Sequence, residues 1–396
     1  MKHLLSLLAS ILCLSQISAQ INYQKFYDAQ QTKAAVEGIM TDDSVRTGTW
    51  TWWHPNGRVY QQGEYKNGQK TGIWKVYYEN GRQAAEEYYS GNGTTRTWHQ
   101  NGKKQSEIEV VNGKKNGIYR SWFANGKQKD EIRFVNGIKE GETKEWHENG
   151  QLKFQGTYEG NELNGPAVWY TDRGKLDMKG TLADGEQEGE WLFYWRTNGN
   201  LGIRGSYKGG VEEGEWTYYY ETGEKWRAGK YKNGERSGLW TTWYESGRKL
   251  HEGSYTNGKE SGQWTSWYED GRTDYVGSFK NGMKDGAWTG YYEDGRIRYT
   301  MHYKNDEKEG EEVRNYPNGK VEIRCNYRAG KYHGKFERFN TAGKPEEMGN
   351  FVNGEKDGKW IFYDERGGEG VVAQFKNGNM TSKQDNIPAK KPAPRR

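Results

Sequence analysis

GLWTTWYESGRKLHEGSYTNGKES, residues 238–261, is followed without a break by GQWTSWYEDGRTDYVGSFKNGMKD, residues 262–285. The two segments share glycines, aromatic residues and turn pairs at matching positions, and self-similarity at a fixed period is the signature of a repeat architecture. Outward from this pair, the pattern G-x-W-x-x-W-Y-x-N-G, a variable stretch, and G-x-Y-x-N-G-x-x-x returns along the chain. It opens at Gly48, Gly72, Gly93, Gly117, Gly141, Gly165, Gly189, Gly214, Gly238, Gly262, Gly286, Gly310, Gly334 and Gly358, giving about 14 units of 24 residues. The second unit is shortened at the Ser90-Gly91-Asn92 turn and the seventh lengthened around Asn198-Gly199, both at turns, where length changes do least damage.

Two turn signals divide each unit. Asn-Gly at 56-57, 80-81, 101-102 and 125-126, with Asp-Gly at 270-271 and 294-295, mark the first. Asn-Gly at 67-68, 112-113, 233-234, 257-258 and 353-354 mark the return. Such pairs favour tight turns with positive φ, so each unit reads as a β-hairpin. The fold class expected is all-β, an elongated tandem array of hairpins.

If the first turn has two residues, closure at Ser246-Gly247 sets Trp240 across from Gly253 and Gly238 across from Tyr255. The same pairing recurs as Trp50 with Gly63, Trp216 with Gly229, and Trp264 with Gly277. An aromatic ring over a cross-strand glycine shields backbone and pins register. This is the expected packed face, with Tyr65, Tyr231, Tyr255, Phe279 and Phe351 beside it. Buried aromatics, each removing ~150–250 Å² from water, can replace an aliphatic core. A second aromatic column has the opposite parity: Trp53, Tyr77, Trp98, Trp122, Trp146, Tyr170, Tyr194, Tyr219, Trp243, Trp267, Tyr291, Phe339 and Tyr363, broken by Asn315. Two readings are open: it packs inside a coiled sheet, or it lines an accessible face. On the second, Trp53, Trp98, Trp122, Trp146, Trp243 and Trp267 form a candidate binding surface.

Composition agrees with an aromatic rather than an aliphatic core: 18 Trp, 29 Tyr, 11 Phe and 55 Gly against 7 Pro in 396 residues. Charged residues make up 29 %, but regularly spaced aromatics exclude a disordered array. Residues 1–19 read as a signal peptide: Lys2, the apolar stretch Leu4 to Leu14, then cleavage after Ala19. Leu12 before Cys13 disfavours a lipid-attachment site. Residues 20–47 read as a leading cap or half-repeat, 48–380 as the array, and 381–396 as a disordered, basic, Pro-rich tail. The net charge of +5 resides in Lys2 and that tail, leaving residues 20–382 neutral, which argues against nucleic acid. No apolar run in the mature chain is long enough for a membrane helix. Export to the periplasm, the outer-membrane surface or the medium is therefore expected. Only Cys325 remains after cleavage, so no internal disulfide forms.

The repeat resembles the MORN repeat, in the variant form found in bacterial proteins, some of them labelled antitoxin-like. The resemblance covers residues 48 to about 380. It implies serial hairpins and roles in scaffolding, self-association or membrane-proximal attachment. Departures fall at Thr95, Thr143, Ala167 and Glu312, which replace the first Trp and are expected to soften or bend their units, while Tyr119 and Phe336 keep a ring.

No catalytic order, phosphate loop or calcium loop stands out, and neither enzyme activity nor a cofactor is expected. His54, His99 and His147 share one position in alternate units. At ~4.8 Å per strand they stand roughly 19 Å apart, too far to share a metal, and read as surface replacements of Tyr. Cys325 holds the place of a cross-strand glycine and reads as a small buried residue. Gly-Lys at 102-103, 126-127 and 319-320 reads as a turn followed by a solvated lysine. The expected function is an extracytoplasmic interaction scaffold for unidentified protein partners, such as cell-envelope components. The alternatives are a cell-surface glycan-binding protein that stacks sugars on the second column, or a toxin-neutralising partner.

Overall fold

The computed structural model describes residues 19–365 and 367–385. The expected signal peptide up to Ser18, and the expected tail from residue 386 on, lie outside them. Thirty-four strands and no helix occur among the described residues. The described chain divides into two units, the residues up to 176 with 182–185, and residues 177–181 with those from 186 on. In the first, strands from Gln20–Phe26 onward pair antiparallel with their neighbours in sequence; in the second, the same holds up to Asn379–Asp385. This is the hairpin array the repeat predicts.

Two positions shift at the ends. Residues 20–47 carry two strands, Gln20–Phe26 and Ala34–Thr41, in place of half a unit. The last strand pairs with Glu369–Lys376 out to Asp385, past residue 380, where the tail was expected to begin. Backbone pairing outlasts the side-chain pattern there, since every residue of Asn379–Asp385 is exposed.

The return turns are two-residue turns with both residues at positive φ, as Asn67 (52°) and Gly68 (77°). The first turns differ from expectation. Tyr244 N–H donates to the Arg248 carbonyl and Gly247 N–H to the Tyr244 carbonyl, enclosing three residues, of which only Gly247 has positive φ (82°). The register of Trp240 with Gly253 and Gly238 with Tyr255 nevertheless holds, because a bulge leaves Leu250 unpaired between Lys249 and His251 and compensates for the longer loop.

A larger irregularity makes the core. Between the strands Lys225–Lys232 and Glu235–Trp243, Ala228 pairs with Thr241 and Lys230 with Ser237, so Gly238, Leu239 and Trp240 stand against Gly229 alone. Gly238 turns the chain at φ 65°, a conformation that favours glycine. The displaced indole of Trp240 drops onto Gly229, where a Cβ would lie 2.3 Å from Cδ2, and its Nε1–H donates to the Lys230 carbonyl at 3.1 Å. Trp50 lies likewise over Gly38, Trp74 over Gly63, Trp216 over Gly205, Trp264 over Gly253 and Trp288 over Gly277. The covered glycine thus belongs to the preceding hairpin. The in-register partners Gly63, Gly229, Gly253 and Gly277 lie beneath the next tryptophan instead. Most of these rings meet the preceding Tyr or Phe edge-on, as Tyr231 with Trp240 (5.2 Å, 90°) and Phe351 with Trp360 (5.0 Å, 80°), whereas Trp50 follows Met40. Lysine or arginine caps several, Lys356 standing 3.9 Å over Trp360 and Lys70 4.1 Å over Trp74.

Where the tryptophan is missing, the ladder continues. Thr143 is buried and its hydroxyl donates to the Glu131 carbonyl, while Phe154 takes the space over Gly156 and Ala167 is buried alongside. Glu312, 1 % exposed, is paired with Lys308 at 2.8 Å and Arg314 at 2.9 Å. In the shortened unit the ring of Tyr88 covers Gly93.

Candidate functional site

Two aromatic surfaces result. On the first, Trp53, Trp98, Trp122, Trp146, Trp243 and Trp267 are all half-buried, neither enclosed nor fully presented. The backbone at this column is tied between units by the following residue. Tyr78 hydroxyl donates to the Trp98 carbonyl (2.6 Å), Tyr220 to Trp243 (2.8 Å), Tyr244 to Trp267 (3.0 Å) and Tyr268 to Tyr291 (2.7 Å).

The histidines serve the same purpose: Nε2 lies 3.0 Å from the Tyr77 carbonyl at His54, 2.8 Å from that of Trp122 at His99, and 2.9 Å from that of Tyr170 at His147. A carbonyl only accepts, so each Nε2 carries the proton. They take the place of the tyrosine of other units and, like it, act as inter-unit rungs. Trp195, in the lengthened unit, donates its indole N–H to the Tyr219 carbonyl in the same manner.

The turns are stitched as well. Asn125 Nδ2 donates to the Glu148 carbonyl, and Lys103 and Lys320 donate to the carbonyls of Asn125 and Ala342, both at 2.6 Å. The turn lysines expected to be merely solvated thus bind the next turn. Between these fixed positions the chain varies: the residue before the core tryptophan, or before the residue that replaces it, is Ile73, Ile118, Glu142, Glu215, Leu239 or Lys359 in different units. Ile73, Ile118 and Leu239 are exposed apolar side chains.

The second surface is a cleft of about 440 Å³ on the tryptophan-glycine face, lined by residues 226 to 279. Phe193 and Tyr218 occupy the position two residues after the core tryptophan in their units; Thr242 and Ser266 hold it in the next two and leave room. The first-turn bulge places Trp226, unpaired between Lys225 and Arg227, at its rim. The guanidinium of Arg227 stands 4.1 Å from the Tyr218 ring and 4.5 Å from that of Trp226, two rings set at 82° to each other, and its Nε is buried without a hydrogen-bond partner. Arg236 stands 4.9 Å over Trp240 and donates to the Tyr255 hydroxyl at 3.1 Å. Burial alone lowers the pKa of His251, keeping the imidazole neutral. Sequence reasoning missed this cleft. Its one early signal is Trp226, an aromatic residue outside both columns.

Among the described residues no group of three or more His, Cys, Asp or Glu could hold a metal, and no helix is long and apolar enough to cross a membrane. Cys325 is buried, its thiol pushed up to about 12 by desolvation and then by Glu312.

The family model of the MORN repeat variant matches residues 46–67, 70–90, 91–112, 139–159, 212–233, 284–305 and 308–329. No curated protein matches the chain. Similar solved structures include the crystal structures of TcdB2-TccC3-Cdc42 (10 % identity, TM-score 0.16, 91 % of this chain and 22 % of that one) and TcdB2-TccC3-TEV (12 %, 0.15, 94 % and 23 %). The crystal structure of TcdB2-TccC3 without its hypervariable C-terminal region is a third (10 %, 0.15, 91 % and 23 %). The chain spans less than a quarter of the length of each.

Proposed function

We propose that this chain, whose repeats are MORN repeats of the variant type, is a non-catalytic extracytoplasmic scaffold that binds protein partners through its second aromatic column. The observation that carries this reading is a division of labour between positions. Bulge glycine, core tryptophan, rung and turn asparagine recur and hold each hairpin to the next, while the residues before the core tryptophan vary and are exposed. A repeat scaffold with a fixed frame and free surface positions presents an extended binding face. The half-buried rings of Trp243 and Trp267 lie on that face, each with its backbone carbonyl anchored by the preceding unit. The Cys325 thiol, buried and protonated, and the three histidines engaged as rungs are in keeping with a role without catalysis.

The signal-like residues 1–19 support export and the cell envelope as the place of action. The test is affinity capture from envelope fractions with the full chain as bait, in parallel with the variant Trp243→Ala/Trp267→Ala, followed by fractionation of cells expressing the chain with and without residues 1–19. The reading requires a defined set of envelope proteins retained by the parent and lost from the variant, and retention in the cytosol without residues 1–19. Equal capture by both baits, or a cytosolic parent, would refute it.

A further inference from the structure

The cleft at Trp226 has a chemistry that the second column lacks. Two guanidinium groups, Arg227 and Arg236, face one concavity, and neither has a carboxylate within ion-pair distance among the described residues. Elsewhere arginines find an acid, as Arg204 does with Glu190 at 2.6 Å and Arg298 with Asp274 at 3.4 Å, while Arg46, at the position of Arg236, likewise caps its tryptophan without one. Arg227 instead stands against the near-perpendicular rings of Tyr218 and Trp226, and its buried Nε has no partner. A half-buried guanidinium without a counter-ion is costly, and an anionic ligand in the cleft offsets that cost.

The other lining groups narrow the class. Glu260 is in the same concavity, so a multiply charged phosphate would meet repulsion, whereas a monoanion bearing hydroxyl groups could donate to it. Thr242 and the neutral His251 add groups that both donate and accept, matched to hydroxyls. Trp226, 38 % exposed, and the half-buried Trp264 offer flat apolar surface. About 440 Å³ suits a small ring compound rather than a folded chain.

We propose that this cleft binds an acidic sugar, a pyranose ring carrying one carboxylate, with Arg227 and Arg236 taking the carboxylate and Trp226 and Trp264 the ring. The site is independent of the protein-binding face, for Trp243 and Trp267 do not line it.

The experiment is calorimetric titration of the full chain with tri-galacturonate, against the neutral cellotriose and inorganic phosphate, accompanied by tryptophan fluorescence. Tri-galacturonate should bind, with affinity falling as salt rises, and both controls should be at least about tenfold weaker. Arg227→Gln and, separately, Trp226→Ala should each weaken binding about tenfold or more with an unchanged β-sheet circular dichroism spectrum, whereas Trp243→Ala/Trp267→Ala should bind as the parent does. Trp226→Ala keeps the test open should Arg227→Gln misfold, because Trp226 stands outside the tryptophan-glycine core. Absence of binding, equal binding of cellotriose or phosphate, or indifference to Trp226→Ala would overturn the assignment. None of these results bears on capture of envelope proteins, which rests on the other face.

Discussion

The indole of Trp240 lies over Gly229, in the preceding hairpin, although the residue in register with Trp240 is Gly253. The distinction explains substitutions that the in-register pairing leaves unexplained. Trp74, Trp288 and Trp360 stand opposite Glu87, Met301 and Ala373, none of them glycine, yet their preceding residues are Gly63, Gly277 and Gly349. Conversely, Phe336 stands opposite Gly349 but follows Cys325, and the smaller ring tolerates a Cβ beneath it. The indole N–H takes the carbonyl just past the covered glycine, as Trp360 does with Asn350 at 3.0 Å, so ring and bulge satisfy each other.

The hydroxyl rungs join one unit to the next. Tyr244→Phe removes the bond to the Trp267 carbonyl while leaving the ring, and should lower stability by about 0.5–1.5 kcal/mol. Amide hydrogen exchange should rise around Trp243–Trp267 and stay at parent rates in residues 46–122. Protection unchanged throughout would show that the rung carries no load.

Glu312 is the charged member of the core. Burial pushes its pKa up, but hydrogen bonds from Lys308 and Arg314 outweigh this, and the net shift is downward. A carboxylate depressed in the folded state contributes stability above its unfolded pKa and loses it as pH falls through the folded value. Glu312→Gln should therefore destabilise at pH 7, by about 3–5 kcal/mol for a broken buried pair, and flatten the decline between pH 5 and pH 3. Denaturant midpoints at the three pH values decide it. A variant as stable as the parent at pH 7 would contradict the pairing.

Cys325 is 1 % exposed and its thiol is raised to about 12, chiefly by burial. Thiolate is the reactive form, so native protein at pH 7.5 should resist iodoacetamide, with full alkylation only after denaturation. Rapid native labelling would place the thiol at the surface.

Register and hairpin order were legible because turn pairs and ring spacing both specify them. Gly238 opposite Tyr255 follows from counting alone. Two things were not. Pairing by count assigns each tryptophan to the glycine beyond its turn, since counting cannot represent three residues standing against one. The internal evidence was nevertheless present, in the glycine that precedes Trp74, Trp288 and Trp360 in the previous hairpin. The cleft was hidden for a related reason: Trp226 reaches the tryptophan-glycine face only because a bulge leaves it unpaired beside the first turn, and strand parity says nothing of unpaired residues.

The central claim is that core tryptophans cover the glycine of the preceding hairpin, and a double-mutant cycle on unfolding free energy tests it. Gly229→Ala should destabilise by about 1–3 kcal/mol, because its Cβ would meet the Trp240 ring. Combined with Trp240→Ala, much of that penalty should vanish, giving a coupling of about 1 kcal/mol or more, while combination with Trp216→Ala, the in-register partner, should be additive within about 0.5 kcal/mol. Coupling of Gly229 to Trp216 with none to Trp240 would contradict the account.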